Sequence, residues 1–332
     1  MSSGPTPDEL WKDARWLAQA VDPRAGLVRL VEMTPDDYRK ASFLDDRMFA
    51  RHRPSHLLKW ADVVEAMPPG ARTDTRWIFH IGHVGSTLIA RLLGELPSVL
   101  SVREPRALRD LTFFPANVRG DFVPPVRALM SRTFTDDQAA VVKATSFVSE
   151  MAAELIAGGR ALHLYATPLA YISGILAGEN SRKELAGLAD TRRARLASRG
   201  LYLPEPSNDA HAAASAWACE MTSLEAADDG SCLWADFDVV LGDLQDSLRK
   251  FADHLQFTAT DEQIRHIANG PLTRRYSKAT EYEYTPQLRQ DLLSEANERH
   301  RADIESALAM LSGAAETAPL LRKALDRAQA ES

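Results

Sequence analysis

From Arg76 onward the chain alternates short apolar runs with longer segments whose apolar residues recur every three or four positions. RWIFHI (76–81), VLSVREP (99–105), AAVVKATS (139–146), ALHLYATP (161–168) and CLWADFD (232–238) have the length and near-continuous apolarity of strands buried on both faces. Helices are predicted after four of them: over LIARLLGEL (88–96), through Glu154 to a stop at Gly158-Gly159, over LAYISGILAG (169–178) and over LGDLQDSLRKFADHL (241–255). Strand–helix alternation of this kind predicts an α/β fold, a mostly parallel sheet between two layers of helices.

The flanks read differently. Residues 7–20 predict a short helix with Trp11, Ala14, Leu17 and Ala18 on one face, and GLVRLVEM (26–33) is a short apolar run. SHLLKWADVVEAM (55–67) predicts an amphipathic helix capped by Ser55, and MPPGARTDT (67–75) marks a boundary. The chain is thus divided into an N-terminal extension (1–75), a core (76–270) and a C-terminal part (271–332) with a basic loop and charged helices. Within the core, residues 179–206 are rich in Arg and Lys and read as a helical insert or a mobile lid. Residues 207–228 predict a long helix capped by Ser207 or Asn208.

Composition narrows the function. The 332 residues are 45% hydrophobic and 26% charged, as in an ordinary globular protein, so wholesale disorder is excluded. Asp plus Glu (46) exceed Lys plus Arg (39), which argues against a general nucleic-acid binder while allowing a local basic pocket. Cys219 and Cys232 are too few for a disulfide scaffold and lack metal-ligand spacing. No apolar run is long enough to cross a bilayer, and the polar start MSSGPTPDELW is unlike a secretory signal. The expectation is a cytoplasmic protein that uses neither membrane, nucleic acid nor metal.

The most informative stretch is FHIGHVGSTLIARLL, a strand entering a glycine-punctuated turn from which a helix starts at Ser86 or Thr87. Backbone amides of Gly82, Val84 and Gly85, the helix N-terminus and the hydroxyls of Ser86 and Thr87 would together cradle an anion. The alternative is a turn that holds nothing. The nucleotide-hydrolysing loop G-x-x-x-x-G-K-[ST] is not present, because Ser86 follows Gly85 and no lysine stands in the turn.

In the order of its motifs the chain resembles the sulfotransferase family over about residues 76–257. The family's loop for the 5′-phosphosulfate commonly reads P-[KR]-S-G-T-T, and Gly82-His83-Val84-Gly85-Ser86-Thr87 is similar to it, with His83 at the basic place. Arg103-Glu104-Pro105, the strand ending in Lys143, and CLWADFDVVLGDLQDSLRKFADHLQF resemble later family segments. The resemblance implies a P-loop-type fold and 3′-phosphoadenylyl sulfate as donor. It also implies a small-molecule acceptor bearing a hydroxyl or amine.

In that frame His83 would stabilise the leaving oxygen or act as a base, Lys143 would neutralise the sulfate, and Glu104 would be the general base. Residues 179–206 would help form the acceptor pocket. Other readings are that Glu104 pairs with Arg103 or Arg106, and that His80 is a satisfied core histidine. The family's 3′-phosphate site opens with an Arg where this chain has Ala166, and Ser173 stands at its serine place. Either Arg274, Arg275 and Lys278, or Arg182 and Lys183, supply the missing cation, or the donor differs, or transfer has been lost. The remaining alternatives are a non-catalytic nucleotide- or partner-binding protein on the same fold and a P-loop kinase or NTPase.

Overall fold

The computed structural model describes residues 4–50, 54–274 and 285–330. Strands β1 (Trp16–Asp22), β2 (Leu27–Glu32) and β3 (Ser55–Lys59) form an antiparallel sheet in that order. Strands β4 (Arg76–His80), β5 (Val99–Arg103), β6 (Ala139–Lys143), β7 (Arg160–Tyr165) and β8 (Cys232–Asp236) form a second sheet, ordered β5-β6-β4-β7-β8 and parallel throughout. Helices flank it, as the α/β alternation predicts. Trp77, Ile78 and Phe79 of β4 are completely buried, which is what both faces being covered requires.

This strand order fixes where a ligand can sit. The chain leaves β4 toward β5 on one side and leaves β6 toward β7 on the other, so the carboxyl ends of the adjacent strands β4 and β6 border a crevice. The segments after β4, β5 and β6 all open there. They carry the Gly82–Thr87 turn, Glu104 and Thr145–Phe147.

Three local expectations are corrected. Residues 7–20 are a helix only over Pro7–Lys12, and β1 follows after Asp13. Trp11, Ala14, Leu17 and Ala18 fit a helical period, but Trp16–Val21 is a nearly continuous apolar run, and every residue of it is buried. SHLLKWADVVEAM begins as edge strand β3, whose residues alternate between exposed and half-buried, and turns helical only over Trp60–Glu65. The helix expected over 241–255 is divided, because Asp243 ends one helix and caps the next, Leu244–His254, by accepting from the Asp246 amide. A helix absent from the sequence reading, Ala116–Met130, contains Pro124 and Pro125.

The N-terminal sheet is fastened to the parallel one by main-chain and guanidinium contacts. The Leu44 amide donates to Arg103 O (2.8 Å) and the Val21 amide to Asp110 Oδ2 (3.1 Å). Arg103, buried at the end of β5, donates to the carbonyls of Tyr38 and Ala41. This places residues 43–47 at the carboxyl end of β5.

Candidate functional site

The turn after β4 takes a backbone that glycine favours. Gly82 (φ +87°), His83 (φ +56°) and Gly85 (φ +59°) all adopt left-handed backbone. Gly85 is constrained twice, since a Cβ there would also stand 2.0 Å from the Phe237 ring. His80 organises the base of the turn: its Nδ1 accepts from the Gly82 amide (3.0 Å), so its Nε2 donates to Ala144 O (2.9 Å). It is a satisfied, buried histidine that ties β4 to β6.

Helix Ser86–Leu93 follows with Gly85 at its N-cap and no side-chain cap. Among the described residues, the amides of Val84, Gly85, Ser86 and Thr87 have no hydrogen-bond acceptor. Four amides at a helix N-terminus are a geometry that can hold an anion.

A buried ion pair adjoins the cradle. Lys143, 1% exposed, reaches from the end of β6 to Glu104 Oε1 and donates to Thr87 Oγ1 (3.3 Å). Glu104 follows β5 with φ +53°, a left-handed conformation that a non-glycine residue adopts at a cost. Its amide donates to Lys143 O (2.7 Å), and its Oε2 accepts from Arg47 (2.8 Å). Arg47 in turn grips Asp45 and lies over the Phe43 ring, 3.4 Å from its centroid. Arg103 and Arg106 do not pair with Glu104; the first caps carbonyls and the second binds Asp46 and Asp110.

Glu104 and Arg47, though not Lys143 or Thr87, border a cavity of about 780 Å³ over the crevice between β4 and β6. Its walls include Phe43, Arg47, His83, Glu104, Phe147 and Glu184. The 179–206 segment is two helices, Glu179–Gly187 and Ala189–Ser198, and the first faces His83: Ser181 Oγ lies 3.5 Å from His83 Nδ1 and Glu184 3.9 Å from Nε2. The arginine-rich second helix is not a solvated face. Arg192 and Arg195 are buried, and Arg195 forms ion pairs with Glu150 and Glu220.

The sequence-derived candidates therefore divide. Gly82, His83, Val84, Gly85, Ser86, Thr87, Glu104 and Lys143 come together at one crevice. Ser173 lies elsewhere, buried in the helix Pro168–Leu176, and is not among the residues lining the cavity. Ala166 is buried, with its carbonyl accepting from the Trp217 indole (2.9 Å), so the position where an Arg was sought holds a core residue. Arg182 and Lys183 sit with Asp209 (3.8 Å) and Glu179 (2.7 Å). Arg274 is exposed in a short turn that packs against helix Ser86–Leu93; Arg275 and Lys278 lie outside the described residues. Asp236 caps helix Phe237–Gly242 by accepting the Asp238 amide (2.7 Å), and burial raises its carboxyl pKa.

Sequence reasoning missed Phe43, Asp45 and Arg47. The signal was present as a charged cluster, Asp45-Asp46-Arg47, inside the apolar frame Phe43-Leu44 and Met48-Phe49, but it fell in a segment read as an extension.

No family model and no curated protein matches the chain. Among solved structures it is similar to a sulfotransferase domain from the curacin biosynthetic pathway, at 12% identity and a TM-score of 0.39 over 71% of this chain and 96% of that one. Mouse sulfotransferase SULT7A1 complexed with PAP gives 11% and 0.36 over 77% and 89%. A sulfotransferase domain from the Synechococcus PCC 7002 olefin synthase gives 14% and 0.36 over 67% and 86%. All three are sulfotransferases or sulfotransferase domains. A likeness this distant transfers no residue role, so what the site can do follows from its own geometry. That geometry offers an anion a row of amides, a buried ammonium at its flank and two side chains, Glu104 and His83, able to hold a proton beside a cavity of substrate size.

Proposed function

We propose that this protein transfers a sulfuryl group from a nucleotide 5′-phosphosulfate, 3′-phosphoadenylyl sulfate, to a hydroxyl or amine of a small molecule. The observation that supports this best is the row of amides Val84–Thr87, without acceptors among the described residues, beside Lys143. Such a site holds a sulfate or phosphate by main-chain dipoles and one ammonium. It lacks the loop lysine that a kinase or NTPase places against the β- and γ-phosphates.

In this reading the amides and the hydroxyls of Ser86 and Thr87 fix the phosphosulfate, and Lys143 offsets charge on its non-bridging oxygens. The sulfur–oxygen bond to phosphate breaks as the bond to the acceptor forms. The acceptor's proton passes to Glu104 or His83, and the leaving phosphate keeps the bond electrons. Glu184, 3.9 Å from His83 Nε2, would orient the imidazole and stabilise its protonated form.

A second reading, binding without transfer, is favoured by one observation. Ala166 is sealed beneath Trp217, and Ser173 is buried in its helix, so neither offers a 3′-phosphate contact. A cation for that phosphate would come from elsewhere, with Arg182 and Lys183, or Arg274, Arg275 and Lys278, as the candidates.

Thermal unfolding with adenosine 3′,5′-bisphosphate against ATP–magnesium tests the assignment. A ligand at 100 times its dissociation constant adds about 2.7 kcal/mol. The bisphosphate should raise the midpoint and ATP–magnesium should leave it unchanged. The reverse order of effects would overturn the donor assignment. Turnover of the sulfated donor with a panel of phenols, alcohols and amines separates transfer from binding.

A further inference from the structure

Lys143 and Glu104 neutralise each other, and this poses a difficulty for anion binding. The ammonium is 1% exposed and the carboxylate 8%, so neither is screened by solvent. A sulfate arriving at the amides of Val84–Thr87 must share Lys143 with a carboxylate already bonded to it. Drawing the ammonium away would leave Glu104 buried and charged, which is costly unless another cation holds it.

Among the described residues, one other cation touches Glu104. Arg47 Nη2 is 2.8 Å from Oε2, while Lys143 occupies Oε1. Arg47 is prevented from swinging away by two further contacts, Asp45 (Nε–Oδ1 2.8 Å) and the face of Phe43 (3.4 Å to the ring centroid). The Leu44 amide bond to Arg103 O pins that segment to the end of β5, one residue before Glu104. Asp45, Arg47, Glu104 and Lys143 thus form a cluster of two cations and two anions, with Arg47 poised to retain Glu104 when Lys143 is shared.

The geometry points to Arg47 as a positioning residue for the phosphosulfate site: by holding Glu104, it releases Lys143 toward the incoming oxyanion. The inference rests on the donor proposed above and goes beyond it. It makes the N-terminal unit a working part of the site, supplying the arginine that sets how much positive charge Lys143 presents. In this reading Lys143, beside Thr87 at the start of the helix, meets the terminal sulfuryl group, so the sulfated donor is the ligand that reports on it.

Calorimetric binding of 3′-phosphoadenylyl sulfate and of adenosine 3′,5′-bisphosphate, measured side by side, tests it through their affinity ratio. Arg47→Ala should lower affinity for the sulfated donor by about tenfold relative to the bisphosphate, the effect of losing one charge-assisted contact. Arg47→Lys should recover most of it. Glu104→Gln should shift the ratio the other way, and in that background Arg47→Ala should no longer matter, because there is no carboxylate left for Arg47 to hold. Circular dichroism and the unfolding midpoint of each variant identify any that fail to fold; Arg47→Lys, which keeps the charge, preserves the test if Arg47→Ala does not fold.

Equal weakening of both ligands by Arg47→Ala would show a merely structural residue and overturn the inference. So would an Arg47→Ala effect that persists with Glu104→Gln. Wild-type protein that binds neither nucleotide would sink the donor assignment and the inference with it, whereas binding of both with a ratio indifferent to Arg47 sinks the inference alone.

Discussion

His163 stands edge-on to Phe79 (centroids 5.9 Å apart) and to Trp234 (4.7 Å), completely buried in β7, and neither ring nitrogen has a hydrogen-bond partner among the described residues. Burial is the main reason its pKa falls from 6.5 to about 3; Arg327 and His254 push the same way, and Asp228 opposes them. Between those two values the unfolded chain binds a proton that the folded chain refuses. Stability therefore rises with pH across this window, and the contribution is lost as pH falls from about 6.5 toward 3. Denaturant unfolding of wild type at pH 7.5 and 4.5 should differ by about 2–3 kcal/mol more than that of His163→Phe. Identical pH dependence in the two proteins would show that the ring is protonated in the folded state or hydrated within it.

At the scale of elements, the helix Ala189–Ser198 shows what a local pattern leaves out. Arg192, Arg193, Arg195 and Arg199 look like a charged surface, yet Arg195 binds Glu150 Oε1 (2.6 Å), Glu220 Oε2 (3.0 Å) and Ser149 Oγ (3.0 Å), and its guanidinium lies over Phe147 (5.2 Å). The partners come from a helix and a turn far along the chain, and no local pattern announces such pairing. The five parallel strands and the Gly82–Thr87 turn were legible for the opposite reason. Their signals, unbroken apolar runs and glycines at positive φ, are local and are imposed by burial and backbone sterics alone. Glu104 and Lys143 were legible as strand-end residues, but their mutual pairing and the capture of Glu104 by Arg47 depend on packing between the two sheets. Because Arg195 lies over Phe147, a wall of the cavity, Arg195→Met should cost roughly 3 kcal/mol, since buried Glu220 would keep only the longer contact to Arg192 (3.5 Å) as its cation. Limited proteolysis should then cut within 199–206 faster than in wild type. Unchanged cleavage and an unchanged unfolding midpoint would mean that apolar packing alone holds the helix.

Across the whole molecule the question is whether the N-terminal sheet is an appendage or part of one cooperative unit. Arg132 decides for the second. It is 8% exposed, burial lowers its pKa from 12.5 to about 10, and it still carries its proton at neutral pH. Its guanidinium donates to the carbonyls of Leu10, Asp13 (2.9 Å) and Trp16 (2.7 Å) on the N-terminal side, and to Leu129 (3.0 Å) on its own. Carbonyls that lose such a donor inside the interface remain dry and unpaired. Helices Arg106–Thr112 and Ala116–Met130 both pack on β1, so disturbing this joint disturbs the core as well as the small sheet. Arg132→Met, of similar length and without donors, should destabilise the full chain by at least about 3 kcal/mol. In native-state hydrogen exchange, amides of β2 (Val28–Val31) and of β6 (Ala140–Val142) should lose protection by equal free energies if the two sheets unfold together. Loss confined to β2 would make the small sheet a separately melting unit. Arg47 would then reach Glu104 only while that unit is folded, and the affinity for the sulfated donor would fall at temperatures below the melting of the parallel sheet.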